Sequence, residues 1–265
     1  DISDTYYAKA VSLVENCLRK KGFDALLCCT GNSLEEKKKY LNLLLAKRVD
    51  AVILIGSAFK ENTDNSHIEA AAQQTPVMII NGLVELPNTY CVLCDEGAAA
   101  YDNISLLCSG GYTRILYLYD VLTYSGCVKI EGYKRALEKC GVPFDPDLLV
   151  QVPKSIEGAR GAVEGLFSRG VEFDAVMASE DLLAAGALKA LTARGCRMPV
   201  IGFNNSVIAE ASTPALTSVD NRLETLCPTA VDMLTSLLSG TEIPRKVVIP
   251  ARLVERETLR AANLS

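Results

Sequence analysis

Short apolar runs alternate along this chain with longer segments in which apolar residues recur at every third or fourth position. The first longer segment, residues 7–20, places four apolar residues on one face: Tyr7, Val11, Val14 and Leu18. That spacing is typical of an amphipathic helix with one buried face. We therefore expect the chain to open with a helix that holds Tyr7 in the core.

The same reasoning extends along the whole chain. Further helices are predicted at residues 35–47, 67–74, 98–108, 128–140, 156–169, 182–194 and 226–238. Strands are predicted at residues 25–29, 51–55, 77–80, 91–94, 114–119, 175–178, 200–203, 216–219 and 247–249, with an extended piece at 148–152. Ser33 and Glu36 have the spacing of a capping box at the start of the second helix.

Two successive sets of strand–helix units predict an α/β fold of two similar parallel-sheet lobes. No Gly/Ser-rich linker separates the sets, so short strand crossings should join the lobes as a hinge. The length of 265 residues and the 49% hydrophobic content are ample for a core in each lobe.

Charge and hydropathy exclude several partners. The net charge is −5, charges of both signs are dispersed, and no basic run is present. We therefore expect that this chain does not bind nucleic acid directly. We expect no membrane contact, because no apolar run reaches membrane-spanning length and no signal peptide opens the chain.

The ten cysteines raise the question of metal or disulfide chemistry. Cys91 and Cys94 form a C-x-x-C, yet they lie inside an apolar run, and the one histidine, His67, is far away in sequence. Reduced, buried cysteines in a cytoplasmic protein are the simpler interpretation. We therefore predict no metal site and no cofactor.

Polar residues directly follow two of the predicted strands. The strand at 200–203 runs through a glycine into Asn204 and Asn205, and the strand at 216–219 ends at Asp220 and Asn221. Polar side chains released at strand ends are where open α/β sheets bind small ligands. This stretch therefore predicts a small-molecule site.

The order of residues in this stretch resembles the effector-binding core of LacI/GalR-type transcriptional repressors. Further similar motifs lie at 1–8 (DISDTYYA), 48–55 (RVDAVILI), 111–115 (GYTRI), 129–137 (KIEGYKRAL), 179–191 (SEDLLAAGALKAL) and 249–258 (IPARLVERET). The resemblance implies a type I periplasmic-binding-protein-like fold whose two lobes are joined by a three-crossing hinge. It places residues 1–94 and 223–250 in the N-terminal lobe, and 95–222 and 251–265 in the C-terminal lobe.

The resemblance also implies a set of effector-binding residues in a cleft between the lobes. These are Tyr6, Asn81, Glu96, Ser125, Lys129, Glu180, Asn204 and Asn221. Three of them depart from the family pattern, because Lys129 replaces an arginine, Glu180 an asparagine and Asn204 an aspartate. We therefore expect a polar neutral or amine-bearing ligand, most simply a carbohydrate or a derivative of one.

Three of these residues also have a plain structural alternative. Lys129 could be a solvated lysine at a helix start. Glu180 could complement the dipole of the helix that follows it. Asn221 could hold the hinge backbone by a hydrogen bond.

The function implied is the ligand-sensing domain of a cytoplasmic repressor. It would act as a homodimer and reach operator DNA through an N-terminal helix-turn-helix domain that this chain lacks. The alternative is a sugar-binding protein of an ABC transporter, which has the same architecture. An enzyme is not expected, because a single histidine in a polar segment and the lack of a P-loop leave no catalytic set.

Overall fold

The computed structural model describes residues 2–260. Asp1, in the first family motif, and residues 261–265, assigned above to the C-terminal lobe, lie outside the described residues. The helices are α1 (Thr5–Lys20), α2 (Leu34–Ala46), α3 (Ser66–Ala72), α4 (Glu96–Ser109), α5 (Tyr124–Cys140), α6 (Ile156–Ser168), α7 (Asp181–Ala193), α8 (Val207–Ala211), α9 (Leu223–Leu238) and α10 (Glu257–Arg260). The strands are β1 (Val52–Ile55), β2 (Val77–Ile80), β3 (Thr89–Cys94), β4 (Ile115–Tyr119), β5 (Leu149–Gln151), β6 (Ala175–Ala178), β7 (Val200–Phe203), β8 (Thr217–Asp220), β9 (Lys246–Ile249) and β10 (Arg252–Val254).

The chain divides into two compact units. The first takes in residues 2–94, 123–125 and 222–249, and the second residues 95–122, 126–221 and 250–260. Each unit has its own sheet, whose orders are β1-β2-β3-β9 and β10-β8-β7-β6-β4-β5. Both sheets are parallel apart from β10, which pairs antiparallel with β8, so the predicted α/β class with parallel sheets is confirmed.

In the first unit, the sheet strands are short and apolar. β2 is buried along its whole length, as expected for a central parallel strand covered on both faces. Helix α9 packs against β2 and β3, and α1 packs against α9. The core also includes residues of α2 and α3, among them Leu41 and Ile68.

In the second unit, alternate residues of each strand feed two separate apolar layers. On β4, Leu116 and Leu118 pack in one cluster with residues of α6 and α7. Ile115 and Tyr117 pack in the other cluster, with residues of α4 and α5. This alternation follows from the two-residue repeat of a strand, and it explains why these strands read as unbroken apolar runs in the sequence.

Some predicted elements are wrong. Residues 25–29 form no strand; they run as irregular chain, with Leu26 and Leu27 exposed by 61% and 56%. No strand of the described chain pairs with them, and an apolar run without a partner strand has no ladder to join. The capping box is also wrong, because the Ser33 side chain makes no capping hydrogen bond.

Helix α5 begins at Tyr124, four residues before its predicted start. The pattern missed this first turn because it lacks the apolar repeat of the remaining helix. Tyr7 is half-buried and does not lie in the core. Its ring packs instead over Gly56, where an added Cβ would lie 2.7 Å from the Tyr7 ring. The short elements α8, β10 and α10 were not predicted.

The cysteines are less buried than expected. Only Cys91, Cys94 and Cys227 are buried, whereas Cys29, Cys127 and Cys140 are exposed. None of the ten, all of which lie within the described chain, forms a disulfide. None of the described helices is long and apolar enough to cross a membrane.

Candidate functional site

The carboxyl ends of four neighbouring strands in the second unit release polar side chains at one edge of the sheet. The strands β8, β7, β6 and β4 lie side by side in that order and run parallel. They are followed by Asn221, Asn204, Ser179 and Asp120, respectively. Parallel strands bring such residues together at one edge, which is the usual ligand position in open α/β sheets.

Lys129 lies buried at this edge. Its Nζ donates to the backbone oxygen of Ser179 at 3.2 Å and lies 3.6 Å from Oε1 of Glu96. The same ammonium sits 4.5 Å from the centre of the Phe203 ring. The alternative of a solvated lysine at a helix start is therefore wrong, because Lys129 lies beyond the first turn of α5 and is buried.

Helix packing explains how Lys129 reaches this position. Gly132 lies one turn further along α5, and a Cβ there would overlap the backbone oxygen of Gly97 in α4. Only glycine permits this close crossing of the two helices. The crossing brings Lys129 of α5 beside Glu96, the first residue of α4.

Asn221 joins Glu96 to Asn204. Its Nδ2 donates to Glu96 Oε1 at 2.8 Å and to Asn204 Oδ1 at 2.9 Å. The Oδ1 atom of Asn221 is buried and accepts no hydrogen bond. A buried acceptor of this kind is costly unless a partner arrives, so it marks a place where a ligand donor would be favourable.

The turn that carries Asn204 is backbone-strained. Asn204 and Asn205 have φ of 97° and 46°, values in the left-handed region that side chains other than asparagine and glycine adopt rarely. Asp181 holds the turn that follows: its Oδ2 accepts from Ser206 N at 2.7 Å and from Ser206 Oγ at 2.8 Å. Its Oδ1 accepts from Ser218 Oγ.

Burial raises the pKa of Asp181 to about 6, against the opposing effect of these three hydrogen bonds. The pKa of Tyr117 is also raised, mainly by burial and in smaller part by the carboxylates of Glu96 and Asp120. The Tyr117 hydroxyl is buried without a hydrogen-bond partner. The raised pKa values of Asp181 and Tyr117 indicate that water is largely excluded from the buried side of this sheet edge.

A second cluster lies at the end of β4 and β6, and sequence reasoning found only one of its members, Glu180. Lys154 Nζ donates to Glu180 Oε1 at 2.9 Å and lies 3.9 Å from Oδ2 of Asp120. Asp120 Oδ1 accepts from Ser179 Oγ at 3.2 Å. Asp120 follows a strand directly, which is the signal that indicated Asn204, whereas the position of Lys154 depends on a loop path that the sequence does not reveal.

Burial raises the pKa of Glu180, and the neighbouring Asp120 adds to this, while Lys154 and Lys129 act in the opposite direction. Glu180 precedes α7 as its N-cap residue, but its side chain makes no capping hydrogen bond. Its role is therefore in this charge cluster as much as at the helix terminus.

The structure brings four predicted residues into one connected network, which consists of Glu96, Lys129, Asn204 and Asn221. The other three predicted residues belong to the first unit. Asn81 is buried at the end of β2, where its Oδ1 accepts from the backbone N–H of Cys94 at 3.1 Å. Tyr6 and Ser125 are half-buried, and the Tyr6 ring contacts that of Tyr7 edge-on. Ligand contact by these three stays a prediction.

No group of three or more His, Cys, Asp and Glu side chains within residues 2–260 is arranged to hold a metal ion. The arrangement at the sheet edge instead offers amide, carboxylate and ammonium groups that can donate and accept hydrogen bonds. Such groups recognise a small polar molecule by its hydroxyl and amino substituents.

Comparison with known proteins agrees with this chemistry. The family model described as "Periplasmic binding proteins and sugar binding domain of LacI family" matches residues 1–257. An HTH-type transcriptional regulator of Lachnoclostridium phytofermentans is 43% identical over 264 residues, covering 97% of this chain and 79% of that protein. The regulator AscG of Escherichia coli is 28% identical, covering 97% of this chain and 78% of that protein.

Solved structures give the same answer. The transcription regulator CcpA of Lactococcus lactis superposes with a TM-score of 0.86 at 25% identity, covering 97% of this chain and 96% of that one. A complex of the transcriptional regulator CelR with cellobiose gives a TM-score of 0.84 at 25% identity, covering 96% and 79%. The chain therefore belongs to the family of periplasmic binding proteins and LacI-type sugar-binding domains, and within it to the ligand-sensing domains of LacI-type transcriptional regulators.

Proposed function

We propose that this ligand-sensing domain binds a carbohydrate, or a derivative of one, at the carboxyl edge of the second unit's sheet. The observation that carries the proposal is the network around Asn221. Its Nδ2 is fully used within the protein, while its Oδ1 is buried without a partner. A ligand hydroxyl that donates to this oxygen would remove the cost of burying it.

Three side chains beside Asn221 favour a polyhydroxylated ligand. Glu96 and Asn204 add acceptor oxygens beside Asn221, and Lys129 adds a cationic donor. A sugar presents several hydroxyls that donate and accept at once, which suits such a mixed set. Lysine holds its charge at one point instead of in a planar fork, so recognition here would rely on amides more than on a bidentate cation.

The regulatory role follows from the family. Ligand binding would shift the conformation of a homodimer and so change the affinity of an attached DNA-binding domain for operator DNA. Such a repressor acts in the cytoplasm, where the DNA lies. The sugar-transport alternative is disfavoured, because the relatives described above are transcription regulators. We also propose that the domain binds its ligand without catalysing a reaction.

The test is calorimetric titration of this chain with a panel of mono- and disaccharides. We expect at least one neutral or amine-bearing member to bind. Lys129→Met and Asn204→Ala should each weaken that binding by about tenfold or more, because each removes a polar partner from a site shielded from water. Two exposed residues, Lys189 in α7 and Asn42 in α2, offer matched controls as Lys189→Met and Asn42→Ala.

The controls should bind with the affinity of the unaltered chain. If Lys129→Met and Asn204→Ala also retained that affinity, the site would lie elsewhere. If no member of the panel bound at millimolar concentration, the carbohydrate class itself would be wrong.

A further inference from the structure

Two carboxylates at the end of β4 and β6 share a single ammonium group. Lys154 Nζ lies 2.9 Å from Glu180 Oε1, a full hydrogen bond, but 3.9 Å from Asp120 Oδ2, which is too long for one. Lys154 belongs to the loop before α6, and its ammonium group donates a hydrogen bond to Glu180 but not to Asp120. Asp120 Oδ2 therefore lies near a positive charge without accepting a hydrogen bond from it.

Asp120 shows the cost of this arrangement. Its side chain is only 5% exposed, and its Oδ1 accepts from the Ser179 hydroxyl. Its Oδ2 is buried and accepts no hydrogen bond. A carboxylate oxygen shielded from water and without a donor is a place where an incoming N–H group is strongly favoured.

The charges of five side chains at this edge also favour a cation. Glu96 is matched by Lys129, whereas Asp120 and Glu180 share Lys154, so these five side chains carry three negative and two positive charges. The N-terminus of α7 contributes roughly half a positive charge, which is smaller than the one unmatched carboxylate. These side chains therefore keep a net negative charge, which favours a cation over a neutral group at this place.

Of the three side chains Asp120, Glu180 and Lys154, the lysine is the one that a ligand can displace. Its side chain is 38% exposed, while those of Asp120 and Glu180 are 5% and 20% exposed. An incoming ammonium would take over the charge of this lysine, so its displacement would leave both carboxylates with a cation. A ligand ammonium that is free of the backbone tether has three N–H donors and can bond both carboxylates at once.

We propose that Asp120 and Glu180 form an ammonium subsite, in which a protonated amine on the effector displaces the Lys154 side chain. This inference rests on the proposed function and narrows its ligand to a carbohydrate that carries a primary amine. A hydroxyl in the same position would offer one donor without charge, and an N-acetylated amine would offer one neutral donor.

The test compares matched sugars on the same chain. D-glucosamine, D-galactosamine and D-mannosamine are each titrated beside the parent hexose and the N-acetylated form. We expect the amine of the best-bound skeleton to bind at least about tenfold more tightly than both neutral forms, because hydrogen bonds between charged groups are the stronger ones.

Three variants locate the effect. Asp120→Asn preserves the shape and the acceptor for Ser179 but removes the charge, and it should reduce the preference for the amine to within about threefold. Lys154→Gln removes the competing ammonium and should increase the preference. Lys189→Gln, at an exposed position of α7, removes the same charge elsewhere and should leave the preference unchanged.

The outcomes separate this inference from the proposed function. If neutral hexoses bind as tightly as their amines, the ammonium subsite is wrong and the carbohydrate site stands. If the amine preference persists in Asp120→Asn, the preference arises from other residues, and the assignment is also wrong. If no sugar of any form binds, both proposals fail together.

Discussion

Two buried aspartates in the second unit have opposite surroundings. Asp181 accepts three hydrogen bonds, from Ser206 N, Ser206 Oγ and Ser218 Oγ, so both of its oxygens are occupied. Asp120 accepts one side-chain bond, from Ser179, and its Oδ2 accepts none. The Asp181 carboxylate uses both oxygens to stabilise the fold, whereas the Asp120 carboxylate keeps one oxygen that can accept a hydrogen bond from a ligand.

The contrast separates scaffold from recognition within one sheet edge. Asp181 fixes the turn after β7, and Gly202 beneath it cannot carry a side chain, because a Cβ there would overlap Asp181 Oδ1. Asp181 uses both of its oxygens within the fold, so it has little acceptor capacity left for a ligand. Asp120 and Asn221, which each keep a buried oxygen without a hydrogen-bond partner, are among the residues that we assign to binding.

The largest expected effect is on stability, at Asp181. Asp181→Ala would remove three hydrogen bonds and leave Ser206 N–H and the Ser218 hydroxyl without their acceptor. We expect a loss of about 3 to 4 kcal/mol in the free energy of unfolding, measured by urea denaturation. Asp120→Asn should lose far less. Equal losses for the two variants would contradict the distinction between them.

Lys129→Met should follow in size. It removes the cation beside Glu96, whose buried carboxylate still accepts from the Asn221 amide. We expect a loss of about 2 to 3 kcal/mol in the free energy of unfolding. Glu96→Gln combined with Lys129→Met should recover part of it, and a double-mutant cycle that shows no coupling would exclude a direct pair.

The pH dependence of stability sharpens the contrast further. The pKa of Asp181 is raised from its ordinary 3.8 to about 6, so the folded chain binds this proton more tightly than the unfolded chain does. Its contribution should increase as the pH falls through 6 and be complete only below the ordinary pKa of 3.8, adding roughly 3 kcal/mol in total.

Asp181→Asn removes the titrating group and should flatten that part of the profile. The profile is measured by urea denaturation between pH 4 and 8, for the unaltered chain and this variant. A profile that Asp181→Asn leaves unchanged would place the titration at another group.

The smallest effect is expected at Lys154. Lys154→Gln removes the cation that Asp120 and Glu180 share, but Lys154 is itself 38% exposed and the glutamine amide can still donate to Glu180, so we expect a loss of about 1 kcal/mol in the free energy of unfolding. The thermal unfolding midpoint should accordingly shift little. A large loss would show that Lys154 stabilises the fold, and it would then be a poor candidate for displacement by a ligand.

Much of the fold was readable from the sequence, because parallel strands covered on both faces appear as unbroken apolar runs. The strands at 175–178 and 200–203 were predicted to the residue for this reason. Residues 25–29 have the same composition but no partner strand, and composition does not report whether a partner exists.

The candidate site was readable in part for a similar reason. Asn204 and Asn221 come directly after strands, so their place at the sheet edge follows from the pattern. The burial of Lys129 depends on how closely two helices cross at Gly97 and Gly132. The Lys154 contact depends on a loop, and neither feature has a periodic signature in sequence.

The central claim is that the effector binds at the carboxyl edge of the second sheet. Hydrogen–deuterium exchange with and without the tightest carbohydrate of the panel tests it most directly. The account predicts that amides of residues 179–182 and 204–206 exchange more slowly in the complex, by about tenfold or more. Unchanged exchange in both segments, with protection confined to other parts of the chain, would contradict it.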